Sequence, residues 1–228
     1  MENQINLNFQ LLKPFGPTIA EIQVPDNILK VMNSMTENLL IDKNKKSWGE
    51  HLVEQIEDEL EISKKMLKEN GLNGFFAGCL KVYLSNVLQE MYNYDPENYI
   101  VASDLTDMWF NEMKPGGEYN PAHFHTNCYV SAVLYLKIPS KRPKRNINHK
   151  TDKDGYIEFI DRSVTPENLQ KGTMLIEPKE GMMYIWPSSL LHMVYPFLGK
   201  ETRRSVAWNG TFQLIEKASN KIILGLKQ

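Results

Sequence analysis

Between residues 105 and 214 the chain breaks into short runs rich in β-branched and aromatic residues, each closed by turn-forming residues. The runs cover 105–113, 128–138, 156–160, 174–177, 182–186, 192–195 and 203–214, and Gly116-Gly117, Asp154-Gly155, Gly172, Gly181 and Gly199 punctuate them. Many short strands separated by turns imply a sandwich or a barrel, in which two sheets or one closed sheet bury the inward-facing residues.

The first hundred residues have a different texture. Stretches 5–12 and 18–24 alternate as strands do and are joined by a turn at Pro14, Gly16 and Pro17. Pro25-Asp26 then opens a helical pattern with Ile28, Val31, Met32 and Met35 on one face. Residues 48–70 also predict a helix, with Leu52, Val53, Ile56, Leu60 and Leu67 on one face. Its acids precede its lysines, as the helix dipole favours, and Asn70-Gly71 is a C-terminal stop. A further helix over 75–92 carries Phe76, Leu80, Tyr83, Leu84, Val87, Leu88 and Met91. The expected class is α+β, mainly β, as one domain over 1–228. Strands and supporting helices fill 1–100, the β core fills 101–217, and 218–228 forms a last strand or tail. The helices pack outside the core.

Composition narrows the function. The 228 residues are 42% hydrophobic, enough for one sizeable core. A net charge of −2 and a pI near 6.2 give no nucleic-acid or membrane-surface signature. No apolar run approaches the ~20 residues of a membrane span, and the opening MENQINLNFQ lacks the pattern of a secretory signal. Cys79 and Cys128 sit in apolar stretches and read as free thiols of a reducing compartment. A cytoplasmic protein is expected. The insert 140–154, SKRPKRNINHKTDKD, reads as a solvated basic loop, with a substrate-facing flap as the alternative.

The chemistry is concentrated in three histidines. His123 and His125 head the apolar segment AHFHTNCYVSAVLYLKIP, and two residues apart on an extended chain they point to one side. A third, His192, enters another strand in GMMYIWPSSLLHMVYP, and TRRSVAW follows shortly after. Three imidazoles on adjacent strands can occupy one face of an octahedral metal and leave the other face open. Imidazole suits iron, copper, nickel and zinc rather than calcium or magnesium. His51 reads as a surface residue of a charged helix and His149 as part of the solvated insert.

The order MWFNEMKPGGEYNPAHFHTNCYVSAVLYLKIP, GYIEFIDR, GTMLIEPKEGMMYIWPSSLLHMVYPFLGKETRRSVAWN resembles the iron(II)- and 2-oxoglutarate-dependent oxygenases. It is most similar to a bacterial and phage group with an H-x-H…H…R-x-S pattern, over about half the chain. The resemblance implies a double-stranded β-helix of the jelly-roll or cupin type. It implies Fe(II), 2-oxoglutarate and O₂ as cofactor and cosubstrates, and hydroxylation of a small molecule or protein side chain with release of succinate and CO₂. His123 and His192 match iron ligands. His125 stands where most of the superfamily has Asp or Glu, and ligates in a three-histidine site or lies behind it. Arg203 matches the arginine that grips the far carboxylate of 2-oxoglutarate, and Ser205 its hydroxyl partner. Arg204, on the opposite face, is expected to be exposed. Asn111 and Tyr135 lie on strands expected to line the cosubstrate pocket, and Asp161 forms a turn. The competing readings are a three-histidine cupin-type dioxygenase without 2-oxoglutarate, and a non-catalytic jelly-roll module.

Overall fold

The computed structural model describes residues 8–12, 16–53, 55–92, 94–139, 152–164 and 171–225. The insert at 140–151, with His149, lies outside the described residues, as do 5–7 of the first expected strand.

Two antiparallel sheets stack face to face. The larger runs β1 (Asn8–Leu12), β2 (Ile19–Gln23), β9 (Met182–Pro187), β6 (Val130–Lys137), β11 (Arg203–Glu216), β4 (Tyr99–Met113) and β3 (Glu59–Glu61), with β12 (Lys221–Gly225) also paired to β11. The smaller runs β5 (Asn120–His123), β10 (Leu191–Val194), β7 (Ile157–Ile160) and β8 (Thr173–Ile176). This is the double-stranded β-helix, with α1 (Asp26–Ile41), α2 (Lys64–Glu69) and α3 (Asn73–Tyr92) outside it.

The period of two along each strand of the larger sheet divides its side chains between two cores. Leu134 and Leu136 of β6, Val206 and Trp208 of β11, Phe110 of β4 and Ile185 of β9 face the helices. There they pack with Met32 and Met35 of α1 and Phe76, Leu80 and Leu84 of α3. Gly210 permits this approach: a Cβ there would lie 2.7 Å from a Leu80 methyl. The opposite faces, Val133 and Tyr135 of β6, Tyr184 and Trp186 of β9, meet Ile157, Phe159, Ile176 and Val194 of the smaller sheet. One row of a β11 side chain therefore looks at helices and the next looks between the sheets.

The helix expected over 48–70 does not form. Gly49–His51 make one 3-10 turn, an extended strap follows, Glu59–Glu61 form β3, and only Lys64–Glu69 are helical. β3 gives the edge of β4 a partner, with Leu60 opposite Phe110 and Glu61 opposite Trp109. Leu60 and Ile62 are both buried, the two-residue alternation of a strand, and Ser63 caps α2 by accepting from the Met66 N–H at 3.3 Å. Local helical periodicity was overridden by the unpaired backbone of β4.

Candidate metal centre and its cavities

His123 ends β5 and His192 lies directly opposite it on β10. His125 follows two residues later, its backbone N–H held by the Ser188 carbonyl at 3.0 Å. Ring centroids are 4.3 Å apart for His123–His192, 5.1 Å for His125–His192 and 5.2 Å for His123–His125. One ring nitrogen from each lies within 4.8 Å of those of the other two.

The partners of the other ring nitrogens fix the tautomers. His123 Nδ1 lies 2.7 Å from the Pro121 carbonyl and His192 Nδ1 2.9 Å from the Leu190 carbonyl. A carbonyl only accepts, so each Nδ1 carries the proton and each Nε2 the lone pair. His125 Nδ1 lies 2.7 Å from Asn209 Oδ1 and 3.0 Å from Ser131 Oγ, and Ser131 Oγ donates to the same Asn209 Oδ1 at 2.9 Å. Both oxygens therefore accept from His125 Nδ1–H, and its Nε2 is also a base. Burial, then the neighbouring His123 and His125, hold His192 well below the usual imidazole range, so it is neutral. Three oriented imidazoles are the donor set of a borderline divalent transition metal.

Beside this cluster a narrow slot runs between the sheets, with about 30 Å³ open between its side chains. Its floor is one row of the larger sheet: Ser205 of β11 opposes Tyr135 on β6 and Asn111 on β4. Arg203, 2% exposed, donates to Ser205 Oγ at 3.3 Å and stacks over the Tyr135 ring at 4.9 Å. Asn120 Oδ1 and Trp186 Nε1 are buried in the slot walls with no hydrogen-bond partner among the described residues. Burial raises the Tyr135 phenol, and the Arg203 charge opposes the rise. Arg203, Ser205, Asn111 and Tyr135 are thus brought together, and buried polar groups in want of partners suit a polar guest.

A second, wider cavity of about 630 Å³ opens from the histidines to solvent, and Trp109 lines both spaces. The strap residues Trp48–Val53 form one of its walls; His51 is exposed, as expected, but it ends a 3-10 turn at the cavity mouth rather than lying on a long helix, and its ring is tilted against Trp48 with centroids 4.5 Å apart. The expectation for Arg204 is also corrected. It lies on the opposite face from Arg203, as alternation demands, but is only 6% exposed, because α1 covers that face. Its Nε donates to Glu112 at 2.5 Å and its Nη1 to Thr36 on α1 at 3.3 Å. Asp161 does form a turn, accepting from the Ser163 N–H at 2.9 Å. Sequence reasoning missed Asn209 and Ser131. Asn209 shares the parity of Arg203 and Ser205 along β11, a signal that was present.

Residues 107–209 match the family model described as "Putative 2OG-Fe(II) oxygenase". Together with the three-histidine cluster at its centre, that match decides the class. Residues 107–209 are a 2OG-Fe(II) oxygenase domain. The family uses Fe(II), 2-oxoglutarate and O₂. Solved structures resemble this chain in fold. A prolyl-4-hydroxylase of Pseudomonas putida aligns with TM-score 0.53 at 15% identity, covering 84% of this chain and 91% of that one. A Trichoplax adhaerens prolyl hydroxylase, solved with a peptide fragment of hypoxia inducible factor, gives 0.53 at 13%, covering 88% and 82%. The α-ketoglutarate-dependent epimerase SnoN of nogalamycin biosynthesis gives 0.55 at 9%, covering 86% and 80%. No curated protein matches this chain by sequence. Among the described residues no helix is long and apolar enough to cross a membrane.

Proposed function

We propose that the protein is a 2-oxoglutarate-dependent hydroxylase, folded as one domain over 1–228. In it the Nε2 atoms of His123, His125 and His192 hold Fe(II), and the slot holds 2-oxoglutarate. The observation that carries this reading is the tautomer pattern: three Nδ1–H groups held by oxygen acceptors leave three basic Nε2 atoms in one cluster. Bound there, Fe(II) with O₂ and 2-oxoglutarate supplies the oxidation: one oxygen atom goes to a substrate C–H bond as hydroxyl and the other to succinate, with loss of CO₂.

The chain's own groups do the rest. Asn209 and Ser131 keep His125 aimed and basic, in place of the carboxylate more usual at that position. The Arg203 fork, steadied by Ser205 and Tyr135, suits the far carboxylate of a diacid, which a planar guanidinium meets with two parallel N–H bonds. Asn111 and Asn120 line the same slot, and an amide turned about its last side-chain bond would present Nδ2–H to a carboxylate. A slot this narrow favours a thin, extended diacid over a branched or cyclic one, and its side chains must give way for loading. The packed sheets exclude water from the charge pair that forms.

The test is anaerobic. Adding 2-oxoglutarate to the Fe(II)-loaded protein should produce a visible charge-transfer band that saturates at one equivalent per chain, and air should then yield succinate. Fe(II) binding without that band would refute the 2-oxoglutarate part of the reading, because the R-x-S pair would then have no guest.

A further inference from the structure

We propose that the wide outer cavity takes a substrate bearing a cationic nitrogen, the ammonium or guanidinium of a basic amino acid or side chain, with Asp107 as its counter-charge. The proposal rests on the oxygenase reading, whose substrate class it names.

Asp107 stands on β4, two residues before Trp109 and on the same side of the strand, and both line the cavity that reaches His123 and His125. It is half-buried, yet among the described residues no hydrogen bond or ion pair reaches its carboxylate. A carboxylate partly withdrawn from water is stabilised by a cation, and among the described residues no Lys or Arg lines this cavity. Arg162 packs on Phe124, 5.5 Å from the ring centroid, but lines a neighbouring depression and not this one.

The other walls point the same way. Trp48, Trp109 and Phe124 present aromatic surface to the cavity, and aromatic faces attract ammonium and guanidinium groups. Phe124 is 46% exposed and Val53 56%, so the cavity presents apolar surface suited to the methylene stem of a long basic side chain. The strap that forms one wall belongs to a segment, 47–63, with six acidic residues and no Lys or Arg. Lys114 neutralises Glu57 and Asp58 at 2.6 and 3.2 Å, and Lys46 reaches Glu61 at 3.9 Å. Glu50, beside Trp48 in the 3-10 turn, is exposed and adds negative potential at the mouth. Once 2-oxoglutarate balances the charge of the Fe(II), a phosphate or acidic peptide would meet the repulsion of Asp107 and the strap acids, and a neutral ring would leave Asp107 without its partner.

The experiment is anaerobic titration calorimetry of the full Fe(II)-loaded chain, first without 2-oxoglutarate and then with it. The probes are L-arginine, L-lysine and the blocked tripeptides Gly-Arg-Gly and Gly-Lys-Gly, each beside its neutral isostere, with citrulline or norleucine as the central residue. The cationic probes should bind about tenfold or more tighter than their isosteres, the worth of one partly desolvated ion pair. Asp107→Asn should erase that preference, and Asp107→Lys should turn it against the cations. Binding of the tripeptides but not the free amino acids names a protein side chain as the source, and the converse a metabolite; either supports the proposal. Isosteres that match the cations, cationic probes that fail to saturate below about 10 mM, or an Asp107→Asn variant that keeps the preference would overturn it. If the wild type shows no charge-transfer band with 2-oxoglutarate, the oxygenase reading fails, while the titration without cosubstrate still reads the cation site.

Discussion

Arg203 and Arg204 are neighbours with the same side chain, so their substitution separates a site effect from a packing effect. Arg204 and Glu112 form an ion pair at 2.5 Å whose side chains are 7% and 9% exposed. Thr202 donates to the same carboxylate, and the Arg204 guanidinium also lies 5.8 Å from the Phe110 ring centroid. In Arg204→Ala, Glu112 keeps Thr202 but loses its counter-charge under α1. Leaving one buried partner alone costs about 3–5 kcal/mol. For a chain of this size each kcal/mol lowers Tm by about 2–4 °C, so a fall of about 6–20 °C is expected. Because the guanidinium faces the helices and not the slot, the 2-oxoglutarate titration measured well below Tm should match wild type. The double variant Arg204→Met/Glu112→Leu should recover most of the loss, since an apolar pair of similar volume removes both charges. Arg203→Ala should behave oppositely, weakening 2-oxoglutarate by about two to four decades, the same energy read as affinity. Thermal melts by circular dichroism and anaerobic titration read the two effects. An Arg204→Ala protein that melts within ~1 °C of wild type, or that loses 2-oxoglutarate binding as Arg203→Ala does, would refute the assignment of the two faces.

Three further outcomes follow from the metal centre. His192→Ala should abolish most Fe(II) affinity in anaerobic titration, because two imidazoles on one side of the cluster cannot define a facial site. Asn209→Leu removes an acceptor that orients His125 and should weaken Fe(II) about 10–100-fold while leaving the fold intact; Asn209→Asp should restore binding. Burial depresses the folded-state pKa of His192, so the unfolded chain binds more protons once pH falls below about 6.5. Stability of the metal-free protein should therefore decline from that pH downward by at most about 1.4 kcal/mol per unit from this group. His192→Gln should flatten that part of a Tm profile between pH 7.5 and 5.5.

The core strands were legible because each carries its own pattern and its own stop. The runs now seen as β6, β7, β9 and β10 were placed to within two residues at each end. β4 was read short: Tyr99, Ile100 and Val101 are strand formers, but Ser103 and Asp104 separate them from the run that begins at Leu105. The strap was misread for a different reason. Leu52, Ile56, Leu60 and Leu67 fall on one helical face by spacing, but three strand residues are too few for alternation to outvote them, and only the distant edge of β4 makes extension favourable.

The same logic separates the two halves of the candidate site. Its inner half lies on paired strands, where parity along one strand sorts every residue: Arg203, Ser205, Ala207 and Asn209 look inward, and Arg204, Val206 and Trp208 look at the helices. Asp107, Trp109 and Asn111 obey the rule on β4, so the inner half could be read from residues alone once one member was fixed. Exposure could not. Arg204 was assigned the correct face, yet whether that face meets water depends on α1, about 170 residues earlier in sequence. The outer half depends on the strap, whose path is set by β3 pairing and by the bridge of Gln55 to Tyr119. A site whose metal end stands on sheet parity and whose substrate end stands on a strap can keep its chemistry while its wall changes. That division is why Asp107, on the rigid strand but facing the strap, is the position where charge reversal should alter substrate preference without disturbing the three imidazoles.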